Sequence, residues 1–176
     1  MDKPVTARDA DGTEVADRVV VEEPLQIVVD GHAVAVTMRT PGDDAALALG
    51  FLLTEGVVRS REDVRRIDTD TRANHALVFL ADGVEVDLTR LTRHVFSASS
   101  CGLCGKATID AVTSLCHPLP EGATIPASAL LAAPDQLLAA QAVFSRTGGL
   151  HAAGIFAADG SLRIAREDIG RHNAVD

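Results

Sequence analysis

The chain has 176 residues, 47% of them hydrophobic and 3% aromatic, with no Trp, no Tyr and a formal net charge of −9. That length suits one ordinary domain or two small ones, and the apolar fraction excludes general disorder. The acidic balance argues against a nucleic-acid or anionic-membrane binder, and the scarcity of aromatics removes a platform for stacking bases.

No run reaches the roughly 18 consecutive apolar residues of a membrane span. The N-terminus, Met1-Asp-Lys-Pro-Val, lacks the apolar core of a secretory signal. The chain therefore reads as cytoplasmic. Three cysteines in such a compartment are not a disulfide framework.

Residues 1–17 are polar and mixed and read as a loose lead-in. A β-rich stretch begins at Arg18. Asp30-Gly31 predicts a hairpin, with apolar alternation at Leu25, Ile27 and Val29 before it and Val34, Val36 and Met38 after it. Pro41-Gly42 ends the strand. Asp43 and Asp44 open a helix that Gly56 closes, acidic at its start as the helix dipole favours. Val64 to Ile67 predicts a short strand. Asn74 to Leu80, Asp82-Gly83 and Val84 to Leu88 predict a second hairpin. Residues 18–95 thus form a small α+β domain, and residues 96–176 a second domain.

Ser99-Ser-Cys101-Gly-Leu-Cys104-Gly-Lys opens that second part. Lys106 to Leu115 predicts a helix, stopped by His117-Pro118. A proline-bearing loop over 118–126 leads to a turn of helix at Pro126 and a helix from Asp135 to Arg146. Gly148-Gly149 closes it. His151 to Ala157 and Ser161 to Ala165 predict strands around an Asp159-Gly160 turn. Asn173-Ala-Val-Asp176 reads as the first turn of a helix without a body, so the C-terminal part of the protein is expected to lie beyond this chain.

Three stretches carry chemistry. A thiol reacts as its thiolate, and the expected helix start, with Lys106 nearby, favours that form at Cys101 and Cys104. Gly102 and Gly105 allow close approach of a substrate. Such a pair can hold a persulfide on one sulfur and use the other to release it. Zinc competes, with Cys116, His117, His94 or His151 as further ligands. A thioredoxin-type redox pair and a purely structural turn compete as well. Cys116 otherwise reads as a small buried hydrophobe.

The second stretch is Ser145-Arg-Thr147-Gly148-Gly149-Leu-His151, where a glycine pair can bring backbone close to a ligand. The competing reading is a helix C-cap followed by a core strand. The third is Arg166-Glu-Asp168-Ile-Gly-Arg171-His172-Asn173, in which only Ile169 is apolar. Asp168, Arg171, His172 and Asn173 suit hydrogen bonding to a nucleotide or pterin, or a capped helix start. Arg163, Arg166 and Arg171 suit either a small basic pocket or a solvated strand.

Taken in order, Pro41-Gly-Asp-Asp, Gly50-Phe-Leu-Leu-Thr-Glu-Gly, Ser100-Cys-Gly-Leu-Cys-Gly, Thr147-Gly-Gly-Leu-His-Ala-Ala and Glu167-Asp-Ile-Gly-Arg-His-Asn-Ala-Val-Asp resemble the formate dehydrogenase accessory sulfurtransferase family, the FdhD type. The resemblance runs from about residue 18 to the last residue. It implies a sulfur carrier that takes persulfide sulfur from a cysteine desulfurase. The recipient is the molybdenum bis(molybdopterin guanine dinucleotide) cofactor, bound as substrate and then inserted into the formate dehydrogenase apoenzyme. It places the persulfide on Cys101, with Cys104 in support. Cofactor contacts are expected at Thr147, Gly148, Gly149, His151, Asp168, Arg171, His172 and Asn173, while the resemblance places a further cofactor-binding segment beyond Asp176; no resident metal and a homodimer are expected. A non-catalytic cofactor-binding chaperone is the alternative.

The implied fold is α/β (α+β overall): a truncated, three-layer cytidine deaminase-like α/β domain after a small mixed β-rich N-terminal domain. Deaminase activity itself does not follow. A deaminase needs a catalytic Glu beside its zinc-binding His, with Pro-Cys-x-x-Cys later. Here Ala153 stands where that Glu would be, and the cysteines precede His151.

Overall fold

A computed structural model describes residues 1–86, 122 and 124–176. The cysteines, the helix expected over Lys106 to Leu115 and the expected domain boundary at 95/96 lie outside the described residues. Within them the fold is a mixed α+β arrangement of eight strands, four short or medium α-helices and a 3-10 turn at Arg61–Asp63. None of these helices is long and apolar enough to cross a membrane. The chain divides into two compact units, Met1–Glu23 with Arg39–Gly42 and Ala123–Val175, and Pro24–Met38 with Asp43–Gly122 and Asp176.

The second unit is built on β3 (Glu23–Val29), β4 (His32–Arg39), β5 (Val64–Asp68) and β6 (His75–Leu80), in the order β4-β3-β6-β5. The β3–β4 connection is Asp30-Gly31, both at positive φ, the twist a tight hairpin requires. Asp30 also ties the turn to β6: its N–H donates to the Val78 carbonyl, and its carboxylate accepts the Leu80 N–H. Strand β6 pairs parallel with β3 and antiparallel with β5. Of the return strand expected over Val84 to Leu88, Val84 and Val86 lie outside any strand and pack on the core, and residues 87 and 88 lie outside the described residues.

Alternation along β3 buries Leu25, Ile27 and Val29 completely, and the parallel register sets Ala76 and Val78 of β6 beside Ile27 and Val29. Helix α1 (Asp44–Thr54) adds Leu47, Ala48 and Leu52 to the same cluster. Each Leu, Ile or Val among them contributes about 1.5–3 kcal/mol when buried. A Cβ at Gly50 would overlap the backbone of Asp176, whose carboxylate accepts the Thr54 hydroxyl at 2.8 Å. This explains why a helix carries glycine there. The expected alternation on β4 fails after Val34. Val36 and Met38 are 51% and 47% exposed, whereas Arg39 and Thr40 are buried and belong to the first unit.

In the first unit, the segment read as a lead-in forms an antiparallel hairpin of β1 (Asp2–Arg8) and β2 (Glu14–Val20). Asp9 builds its tip by accepting the Asp11 and Thr13 N–H groups. Helix α2 (Ala127–Ala140) runs through Pro134 instead of starting afresh at Asp135. It ends at Gln141, and a separate short helix α3 (Phe144–Thr147) follows. Strands β7 (His151–Phe156) and β8 (Leu162–Asp168) form an antiparallel ribbon. Leu137 of α2 packs beside Gly154, where a Cβ would meet it at 3.1 Å. Gln136 brackets the ribbon's turn, donating to the Gly160 carbonyl and accepting the Leu162 N–H. Helix α4 (Arg171–Val175) completes the unit.

Candidate functional site

The β7–β8 register sets His151 opposite Asp168. One end of the ribbon therefore gathers two of the three candidate stretches. Thr147, Gly148 and Gly149 lead into β7 there, and Arg171, His172 and Asn173 follow from β8.

The entry turn is built by α3. Gly148 caps it in the left-handed region, φ 65°, and donates to the Phe144 carbonyl at 2.7 Å. The Thr147 hydroxyl donates to the Val143 carbonyl at 2.9 Å and accepts the Gly149 N–H at 3.3 Å. Thr147 thus shapes the turn. Gly149 lets β2 come close, since a Cβ would stand 3.2 Å from a Val20 methyl. His151 is exposed at the start of β7.

The exit is organised by Asp168, which is only 6% exposed. One oxygen accepts the Thr40 N–H at 2.9 Å. The other accepts the Gly170 N–H at 2.8 Å and the Asn173 side-chain amide at 2.9 Å. Thr40 answers by accepting the Ile169 N–H at 3.2 Å. Asp168 therefore caps the start of α4 and anchors a distant loop, and Asn173 spends one amide donor on it. Arg171 is exposed. His172 holds its Nδ1 buried with no hydrogen-bond partner among the described residues. A polar atom so placed is a natural acceptor or donor for a ligand or water.

Residues that the sequence did not single out hold this end together. Glu167 accepts the N–H groups of Val143 and Phe144 at 3.0 and 2.7 Å, so β8 caps α3. Arg146 of α3 donates twice to Asp2, at 3.1 and 3.3 Å, and Arg18 donates to the same carboxylate at 2.6 Å. The Arg146 and Arg18 hydrogen bonds hold the Asp2 carboxyl well below the usual carboxylate range, and Asp2 in turn raises Arg146. No spacing pattern signals these contacts; the one cue is that Glu167 and Arg146 lie inside the two polar-rich stretches.

Arg163 is the extra residue of a bulge in β8, between Leu162 opposite Phe156 and Ile164 opposite Ile155. Arg163 and Arg166 of β8 and Arg171 at the start of α4 are all exposed. Among the described residues no group of His, Cys, Asp or Glu could hold a metal ion. Cys101 and Cys104 lie outside the described residues, as do the further zinc candidates His94, Cys116 and His117.

Residues 20–176 match the model of the FdhD/NarQ family. The chain is 51% identical over 170 residues to the sulfur carrier protein FdhD of Mycolicibacterium paratuberculosis, covering 91% of this chain and 62% of the relative. It is 46% identical over 185 residues to that of Streptomyces coelicolor, covering 99% of this chain and 66% of the relative. The chain thus spans about three fifths of the length of the curated relatives it matches. In fold it is similar to a crystal structure described as that of a formate dehydrogenase accessory protein from Desulfotalea psychrophila. The TM-score is 0.69 at 19% identity, over 99% of this chain and 64% of that one.

Proposed function

The chain belongs to the FdhD/NarQ family, and from that premise we propose that it is a cytoplasmic sulfurtransferase serving formate dehydrogenase. The observation that carries this reading is the similarity, at about half identity, to proteins named sulfur carriers, across a stretch that includes Cys101-x-x-Cys104.

The chemistry is as follows. The Cys101 thiolate attacks the outer sulfur of a persulfide on a cysteine desulfurase. The old S–S bond breaks, and the desulfurase cysteine leaves as a thiolate. Cys101 then carries the sulfane sulfur with no net change in electrons. For handover, the Cys104 thiolate attacks the inner sulfur of Cys101. A Cys101–Cys104 disulfide forms, and its two electrons leave with the outer sulfur as sulfide, the form a molybdenum centre takes as a ligand. A dithiol reductant restores the pair. Thiol–disulfide exchange of this kind depends on the thiolate fraction of the attacking cysteine and on access.

The molybdenum bis(molybdopterin guanine dinucleotide) cofactor is the recipient substrate. Its nucleotide end suits the ribbon end described above. Gly148 faces open space where a phosphate could approach the backbone, Arg171 supplies a cation, and the buried Nδ1 of His172 wants a partner. The ribbon, flanked by α2 and α4, is read as the opening part of a cytidine deaminase-like layer, and the acting species as a homodimer.

A maturation assay separates the carrier from a passive chaperone. In cells lacking their own carrier, the protein with Cys101→Ala should leave formate dehydrogenase inactive although it accumulates normally. Normal activity with that variant would favour the chaperone.

A further inference from the structure

The hairpin β1–β2 touches the Thr147-Gly148-Gly149 turn at two points. Asp2 grips Arg146, the residue immediately before Thr147, through two hydrogen bonds, and its side chain is only 10% exposed. Val20 lies against Gly149. Asp2 and Val20 are register partners, so one rung of the hairpin makes both contacts. Arg18 of β2 holds the same Asp2 carboxylate from across the hairpin. Asp2 lies outside the stretch that the family model matches.

A short helix that ends in a left-handed glycine has little of its own to define its pose. Helix α3 has four residues, and its own hydrogen bonds cannot stop it from pivoting. Glu167 ties down its N-terminal end, and the Asp2 contact to Arg146 ties the residue before Thr147.

We infer that Asp2 is a positioning residue: through Arg146 it holds the Thr147-Gly148-Gly149 turn in the pose that receives the nucleotide end of the substrate cofactor. The inference rests on the site assigned under the proposed function. Asp2 touches no substrate. Its effect is preorganisation, which improves affinity by removing the cost of ordering the turn on binding.

The test titrates GDP, as a probe of the guanine nucleotide end, into the 15N-labelled chain, and reads the Gly148 and Gly149 amide signals together with the Kd. Asp2→Asn should move both amide signals and weaken GDP binding about tenfold, while signals from β3 and β6 stay in place. Arg146→Gln cuts the same contact from the other side and should do the same. Asp2→Glu, which keeps the charge, should restore most of both. If the parent chain binds GDP and Asp2→Asn binds it equally well or better, Asp2 is no positioning residue, and the proposed site stands without it. If the parent chain binds no GDP, the site assignment falls and this inference falls with it.

Discussion

The Asp168 carboxylate accepts the backbone N–H of Thr40 at 2.9 Å, a buried contact across 128 positions of sequence. Two sequence motifs therefore meet at one carboxylate: the strand end before Pro41-Gly-Asp-Asp, and Glu167-Asp-Ile-Gly-Arg-His-Asn. Asp168 was singled out as a ligand contact or a helix cap, and its geometry is that of a cap with an added anchor.

Removing that carboxylate strands the N–H groups of Thr40 and Gly170 and the amide of Asn173. Hydrogen bonds to a charged group contribute about 1.5–3 kcal/mol each, and the losses overlap because the donors share one acceptor. Asp168→Ala should therefore destabilise the protein by about 3 kcal/mol in urea unfolding, with Asp168→Asn less costly. A loss within 0.5 kcal/mol or so, the usual range for surface changes, would show that the network contributes little.

Glu167 acts as an N-terminal cap supplied from a neighbouring strand. Glu167→Ala frees two N–H groups at α3 and should cost about 1–2 kcal/mol, as loss of a cap does. Glu167→Gln keeps an acceptor and should cost less. Amide exchange at Val143 and Phe144 is the local readout: both should exchange faster in Glu167→Ala, and unchanged rates would contradict the capping role.

Much of this was legible beforehand, and what escaped did so for physical reasons. Asp30-Gly31 and Asp159-Gly160 marked their turns because positive φ demands such residues. The buried face of β3 declared itself by alternation. Strands β1 and β2 did not, because most of both is exposed and neither has a run of buried positions to print a period-2 pattern. The pairing of β6 with β3 joins segments far apart in sequence and follows from packing of the whole sheet, which no local turn reports. At the candidate site the polar residues were visible, yet their division of labour was not. Thr147 and Asn173 suit either a ligand or a capped turn, and the hydrogen bonds each makes to the protein itself are of the second kind.

The Asp2 clamp carries a pH signature. Its folded-state pKa lies below the unfolded value of about 3.9. Its contribution to stability is therefore complete above that value and is lost as pH falls through the folded value. The charged groups at this clamp are Arg18 and Arg146, both cationic throughout, with Glu167 also acting on Arg146. The Tm gap between the parent chain and Asp2→Asn should be widest near neutrality and should narrow as pH drops below about 4. A gap that does not change between neutral and strongly acidic solution would contradict the ionic clamp.

Persulfide mapping at Cys101 tests the central claim most directly. The chain is incubated with a cysteine desulfurase and cysteine, and its peptides are read by mass spectrometry without reductant. Sulfur transfer to Cys101 predicts one added sulfur atom on the Cys101 peptide, retained in Cys104→Ala and absent in Cys101→Ala. Persulfide gained as readily by Cys101→Ala as by the parent chain would remove Cys101 from the role of carrier.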